Sequence, residues 1–216
     1  MYGFDREQAA PANTTSLPCS CSWASINSSG DFDGIEIHGG CLKLHIIVGR
    51  HWRLCCWAVK AVEILNAQGI KTEITFLGTD PAKHVSRVPD FVKSAGFLSL
   101  SKPDERAKME RLYSEAHFLI QPCRAECFGH IFPEANSFAL PAIASNTGGI
   151  PTAVHEGING YCVEVENAAA YAERIAALFS RPDEYRTLSL KAFDDYNSRL
   201  SWQSAARQVV NILNGL

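Results

Sequence analysis

The order of signals between His117 and Pro151 constrains this chain more than anything else in it. A short apolar run is followed by a loop holding an acid and a glycine. A helical stretch with an early proline comes next, then a second apolar run and a Gly-Gly turn. His117 to Gln121 reads as a short buried strand. Pro122 to Gly129 is then the loop at its carboxyl end, where open α/β sheets hold their ligands. A helix starts after Phe128-Gly129-His130, and Pro133 is tolerated because the first turn has no use for its missing N–H. Free backbone N–H groups at such a start can hold a diphosphate, and Gly129 lets a ligand come close. Glu126 and Glu134, with seven residues between them, should point at different parts of one extended, hydroxyl-rich ligand.

The rest of the chain repeats the same alternation. Strands are predicted at 42–48, 73–77, 91–98, 117–121, 142–145 and 161–165. Helices are predicted at 57–67, 103–116, 131–139, near 152–156, and at 168–179, 182–196 and 202–213. Leu112 and Ala116 are expected on the inner face of the helix that begins at Pro103. Strand, helix, strand implies parallel pairs with right-handed crossovers, so the expected fold is α/β, a doubly wound Rossmann-like parallel sheet. Residues 1–41, rich in Ser, Ala, Asn, Gly and Pro, sustain no period and read as an irregular, non-native or disordered tail ahead of a 42–216 domain.

Composition narrows the function. The formal net charge of −3, with acids and bases interspersed, offers no basic face for nucleic acid. No apolar run reaches the roughly 18 residues of a membrane span. The first thirty residues do not read as a secretion signal, so a cytoplasmic protein with free thiols is expected. Cys123, Cys127 and His130 lack the spacing and the fourth ligand of a metal site, and no metal is expected there.

Glu126 and Glu134 with Phe128-Gly129 between them, Ala139-Leu-Pro-Ala-Ile-Ala144, Gly148-Gly149-Ile-Pro151 and Glu156-Gly-Ile-Asn-Gly160 occur in order. Together they resemble the donor-binding half of the group 1, family 4 retaining glycosyltransferases of GT-B fold. The resemblance runs from about Leu44 to the end and includes Ser201-Trp202. It implies that Glu134 holds ribose hydroxyls, that Glu126 contacts the transferred sugar, and that the backbone at Phe128 and Gly129 faces sugar and phosphates. Gly148 and Gly149 would face the ligand, and Arg50 and Arg53 would be the diphosphate cations. The loop near Phe97 to Ser99 would carry the base. The donor would be a nucleotide-diphosphate sugar, used without metal or other cofactor. The acceptor, a glycan or lipid, would sit on an N-terminal domain for which this chain has no room, leaving it inactive alone.

One departure from that pattern stands out. With Arg53 at a family lysine position, Leu54 and Cys55 fall where glycines are expected, and neither can replace a glycine that must approach phosphate. Two alternatives to the donor-binding half therefore stand: a nucleotide-binding module without catalysis, or a dead gene fragment whose front residues arose by a frame error.

Overall fold

The computed structural model describes residues 42–47, 55–83 and 87–215. The expected tail over 1–41 and the candidate cations Arg50 and Arg53 lie outside the described residues.

Six parallel strands form one sheet in the order β3-β2-β1-β4-β5-β6. They are β1 (Leu42–Ile47), β2 (Thr72–Leu77), β3 (Val92–Gly96), β4 (Phe118–Gln121), β5 (Ala142–Ser145) and β6 (Gly160–Val163). Between and after them come α1 (Cys55–Ala67), α2 (Pro103–Glu115), α3 (Ile131–Asn136), α4 (Ile150–Ala153), α5 (Ala168–Phe179), α6 (Pro182–Asp195) and α7 (Trp202–Asn214). A π-helical turn over Tyr196–Leu200 joins α6 to α7. The strand order runs outward in both directions from β1 and β4, which pair through Leu44 to Phe118 and Ile46 to Ile120. The doubly wound α/β fold expected from the alternation is therefore the one formed, with its switch point between β1 and β4.

Both faces of the sheet are covered. Phe118 and Ile120 of β4 face one core with Ala58, Val62 and Leu65 of α1 and Tyr171 and Ile175 of α5. Leu119, between them in sequence, faces the other core with Tyr113 of α2 and Phe132 and Ala135 of α3. This period of two explains why β4 and β5 read as unbroken apolar runs: each residue is buried on one side or the other. The inner face of α2 is centred on Tyr113, 1% exposed, rather than on Leu112, which is half-buried; Ala116 is buried as expected.

The motif helix is shorter than its sequence predicts. α3 ends at Asn136, and Ala139 sits in the left-handed region at φ 55°. The chain turns there so that Leu140 can reach the second core and Pro141, whose carbonyl accepts the Leu119 N–H at 3.0 Å, can lead into β5. Ser201 caps α7, its Oγ accepting from the Ser204 N–H at 3.2 Å, which accounts for the serine of the Ser-Trp pair. On α7 Trp202, Val209, Val210, Ile212 and Leu213 are exposed.

Candidate functional site

The loop that leaves β4 is built from the backbone outward. Buried Ser145, at the end of neighbouring β5, accepts the Cys123 N–H at 3.0 Å and shares a hydrogen bond of 3.0 Å with the Tyr171 hydroxyl. That hydroxyl also donates to the Gln121 carbonyl at 3.3 Å. The start of the loop is thus fixed to the sheet by groups that cannot exchange their partners for water.

The Gly-Gly turn fixes its middle. Gly149 N–H donates to the Glu126 carbonyl at 2.9 Å, and Thr147 Oγ1 donates to the Arg124 carbonyl at 2.9 Å. A Cβ on Gly148 would lie 2.3 Å from the Glu126 carbonyl oxygen, and one on Gly149 only 1.6 Å from that of Cys127. The close approach that these glycines allow is therefore to the backbone of the Glu126 loop. Arg124 pairs with Glu166 on the outer side of the same loop.

Gly129 closes the loop onto α3. It holds φ 79°, and a Cβ there would meet the Phe132 ring at 2.4 Å and come within 3.5 Å of Glu126 Cγ. Glu126 thus lies directly beside Gly129, its Oε1 accepting the Cys127 N–H at 2.9 Å. Phe132 N–H returns to the Gly129 carbonyl at 3.0 Å and Glu134 N–H to that of His130 at 3.2 Å. Among the described residues, the N–H groups of Gly129, His130 and Ile131 have no acceptor, and no side chain caps α3. Three successive free donors beside a carboxylate can receive the oxygens of an anionic, hydroxylated ligand. At six residues α3 adds little dipole, so the free N–H groups themselves supply the attraction.

Glu134 stands one turn further on. Its neighbours are Tyr113, whose hydroxyl lies 3.3 Å from Glu134 Oε2, and His130. Although Glu134 is exposed by surface area, loss of water around its carboxylate raises its pKa, and the Tyr113 hydrogen bond and the His130 charge oppose that rise. The carboxylate is on the wall of an open groove of about 480 Å³ that Phe128, His130, Pro133, Arg199 and Trp202 also line. This volume is in the range of small-molecule sites. The structure thus places Glu126, Phe128, Gly129 and Glu134 around one loop and helix start, with Gly148 and Gly149 behind the loop.

Sequence reasoning missed the residues that support this arrangement. Asn136 and Asn159, both fully buried, join α3 to the turn before β6. Asn159 Nδ2 donates to Asn136 Oδ1 at 2.9 Å and to the Ala153 carbonyl at 2.8 Å, while its Oδ1 accepts the His155 N–H at 2.7 Å. Asn159 was visible as part of the Glu156 to Gly160 segment, but nothing in one sequence tells a ligand-facing asparagine from a buried one. Tyr113 reads as one more apolar position of α2. In the loop after β3, where the base was expected, Ser99 N–H is capped by Glu105 Oε2 at 2.6 Å and Phe97 is exposed. Lys102, and then the Ser99 N–H, lower the pKa of Glu105.

Comparison with known proteins places this geometry. The family model for group 1 glycosyl transferases matches residues 43–181. The chain is 29% identical over 124 residues to a D-inositol 3-phosphate glycosyltransferase of Corynebacterium urealyticum, covering 57% of this chain and 28% of that protein. It is 31% identical over 118 residues to spore coat protein SA of Bacillus subtilis, covering 54% and 30%. The chain thus spans less than a third of these curated relatives. HepE of Anabaena, solved in complex with UDP and glucose, superposes with a TM-score of 0.67 at 17% identity, over 82% of this chain and 49% of that one. The C-terminal domain of the group 1 protein LpcC from Francisella tularensis superposes with a TM-score of 0.61 at 15% identity, over 74% of this chain and 87% of that domain. With most of its length matched by the family model and its sheet shared with GT-B structures, this chain belongs to the group 1 glycosyltransferases.

Proposed function

We propose that this chain binds a nucleotide-diphosphate sugar and forms the donor face of a retaining glycosyltransferase that acts on an acceptor hydroxyl. One observation carries the reading: Glu126 lies beside Gly129, the first of three successive residues whose N–H groups have no acceptor among the described residues, beyond the carboxyl end of β4 at the switch point of the sheet. The UDP complex of the Anabaena structural relative supports the nucleotide class. In this reading Glu134 holds the ribose hydroxyls, Glu126 contacts the transferred sugar, and the donors at Gly129 face the diphosphate. Gly148 and Gly149 act by holding the loop, and Arg50 and Arg53 add positive charge. Preorganised donors aimed at a leaving diphosphate stabilise the charge that develops as the sugar departs.

Transfer also needs the acceptor held in attack geometry, an effect that can lower a barrier by roughly 7–11 kcal/mol. The described residues build an open groove beside Glu134, and the proposed acceptor, a glycan or lipid, lies across it on a second domain. The 216-residue chain alone is therefore proposed to bind donor without transferring sugar. Calorimetry with UDP, GDP and ADP tests the binding. Glu134→Ala should weaken the preferred nucleotide about ten-fold or more, as expected for a charge-assisted contact. Equal affinity in wild type and variant would remove Glu134 from the site.

A further inference from the structure

Among the described residues, Tyr113 of α2 is the buried side chain that reaches Glu134 from another element by a hydrogen bond. Its ring is 1% exposed and stacks on Phe138, centroids 5.4 Å apart and planes 12° from parallel. Its hydroxyl is 3.3 Å from Glu134 Oε2, longer than the usual O–H···O distance. The two partners differ in freedom: the phenol is packed between α2 and the residues after α3, whereas Glu134 is exposed. Glu134 is therefore the partner that moves to close the contact. A carboxylate that gives one oxygen to a fixed donor keeps the other for a ligand, and its plane is set in advance.

We propose that Tyr113 is a positioning residue, its hydroxyl holding the Glu134 carboxylate charged and turned toward the nucleotide ribose. The inference rests on the donor-binding reading above. Burial raises the pKa of Tyr113, as does the neighbouring Glu134 charge, so its hydroxyl stays a donor. Among the described residues, the charged groups that line the groove with Glu134 are His130, at the start of its own helix, and Arg199 of the π-turn. Arg199 is already engaged by Asp195 at 2.6 Å and by the carbonyls of Thr152 and Ala153. That leaves the Tyr113 hydroxyl as the fixed partner of the carboxylate.

The test measures affinity for UDP, GDP and ADP between about pH 5 and pH 8 in wild type, Tyr113→Phe and Glu134→Gln. Tyr113→Phe should weaken the preferred nucleotide about five-fold at neutral pH, the effect of one ordinary hydrogen bond. It should also move the acid-side loss of binding to higher pH, because the contact that favours the charged carboxylate is gone. His130 is common to both proteins and does not produce that difference. In the ligand-free protein, the Glu134 carboxyl signal of a ¹³C-labelled sample should titrate at higher pH in Tyr113→Phe. Should that variant not fold, Phe138→Leu, which frees the phenol, should move both readouts the same way. Unchanged affinity and pH profile in Tyr113→Phe, with Glu134→Gln impaired, would overturn this proposal alone. Wild-type binding by Glu134→Gln as well would overturn the donor-binding role of Glu134 with it.

Discussion

Asn159 and Asn136, 23 residues apart in sequence, meet side chain to side chain at 2.9 Å with no exposure to water. The bond couples the helix that carries Glu134 to the turn that leads into β6. An Asn159→Leu substitution would leave the His155 N–H and Asn136 Oδ1 unpaired or forced to rearrange, while the Ala153 carbonyl keeps its bond from Arg199 Nη2 at 3.0 Å. Each orphaned buried group costs about 1–3 kcal/mol, and partial rearrangement should leave a net loss of about 3 kcal/mol. Urea unfolding should show the midpoint falling with little change in slope. A midpoint equal to wild type would mean that the network is slack.

Gly149→Ala should act through the loop. The new Cβ would stand 1.6 Å from the Cys127 carbonyl oxygen, so backbone must shift, at a cost of about 1–3 kcal/mol. The shift carries Glu126 with it, and nucleotide affinity should fall together with stability. Gly215→Ala, with φ −94° and ordinary contacts from 3.5 Å, is the control and should change neither. Calorimetry beside urea melts separates the two.

How much of this could be read from the sequence depends on what each residue does. Strand alternation on β4 and β5 and the positions of Glu126 and Gly129 were legible, because local pattern and chain order determine them. The end of α3 was not. Its residues continue to favour helix through Ala139, but the demand to bring Pro141 beside β4, where Leu119 N–H bonds its carbonyl, ends the helix early. Tyr113 and Asn159 were hidden for another reason: their roles are set by partners 21 and 23 residues away. For Gly148 and Gly149 the need for close approach was legible, whereas their packing against the backbone of Glu126 and Cys127 is set by residues more than twenty positions away.

Glu134 should make the ligand-free fold less stable at neutral pH. Its folded pKa is raised above the ordinary value of 4.5 by loss of water, so the folded state binds the proton more tightly than the unfolded chain. Stability from this group is highest below the unfolded value and falls as pH rises through the folded one. Glu134→Gln should therefore raise the unfolding midpoint near neutral pH, with the gain vanishing below about pH 4.5. A gain that persists in acid would trace to something other than charge.

The thiols should divide by burial. Cys123 is 8% exposed, and burial, aided by the Glu126 charge, pushes it up to about 11. Cys127 is exposed. Iodoacetamide at mildly alkaline pH, read by peptide mass spectrometry, should label Cys127 and spare Cys123. Saturating nucleotide should slow labelling of Cys127, whose N–H binds the Glu126 carboxylate.

Nucleotide binding should need no divalent ion. The described residues contain no group of three metal-ligating side chains, and backbone N–H groups can receive phosphate directly. Titrations with chelator and with added manganese should superimpose. Loss of binding in chelator, restored by manganese, would contradict this.

The six residues of α3 carry a consequence for anyone who would move this motif elsewhere. A helix of that length does not hold itself in water; its shape is lent by Phe132 and Ala135 in the core and by the Asn136 clasp. A peptide spanning Glu126 to Asn136 would therefore be a random chain with two acids. The smallest portable unit is discontinuous: the loop, the Gly-Gly turn that braces it, and the asparagine turn before β6. Recombination that cuts between β4 and β6 would separate them, so exchange among relatives should preserve this segment as a block.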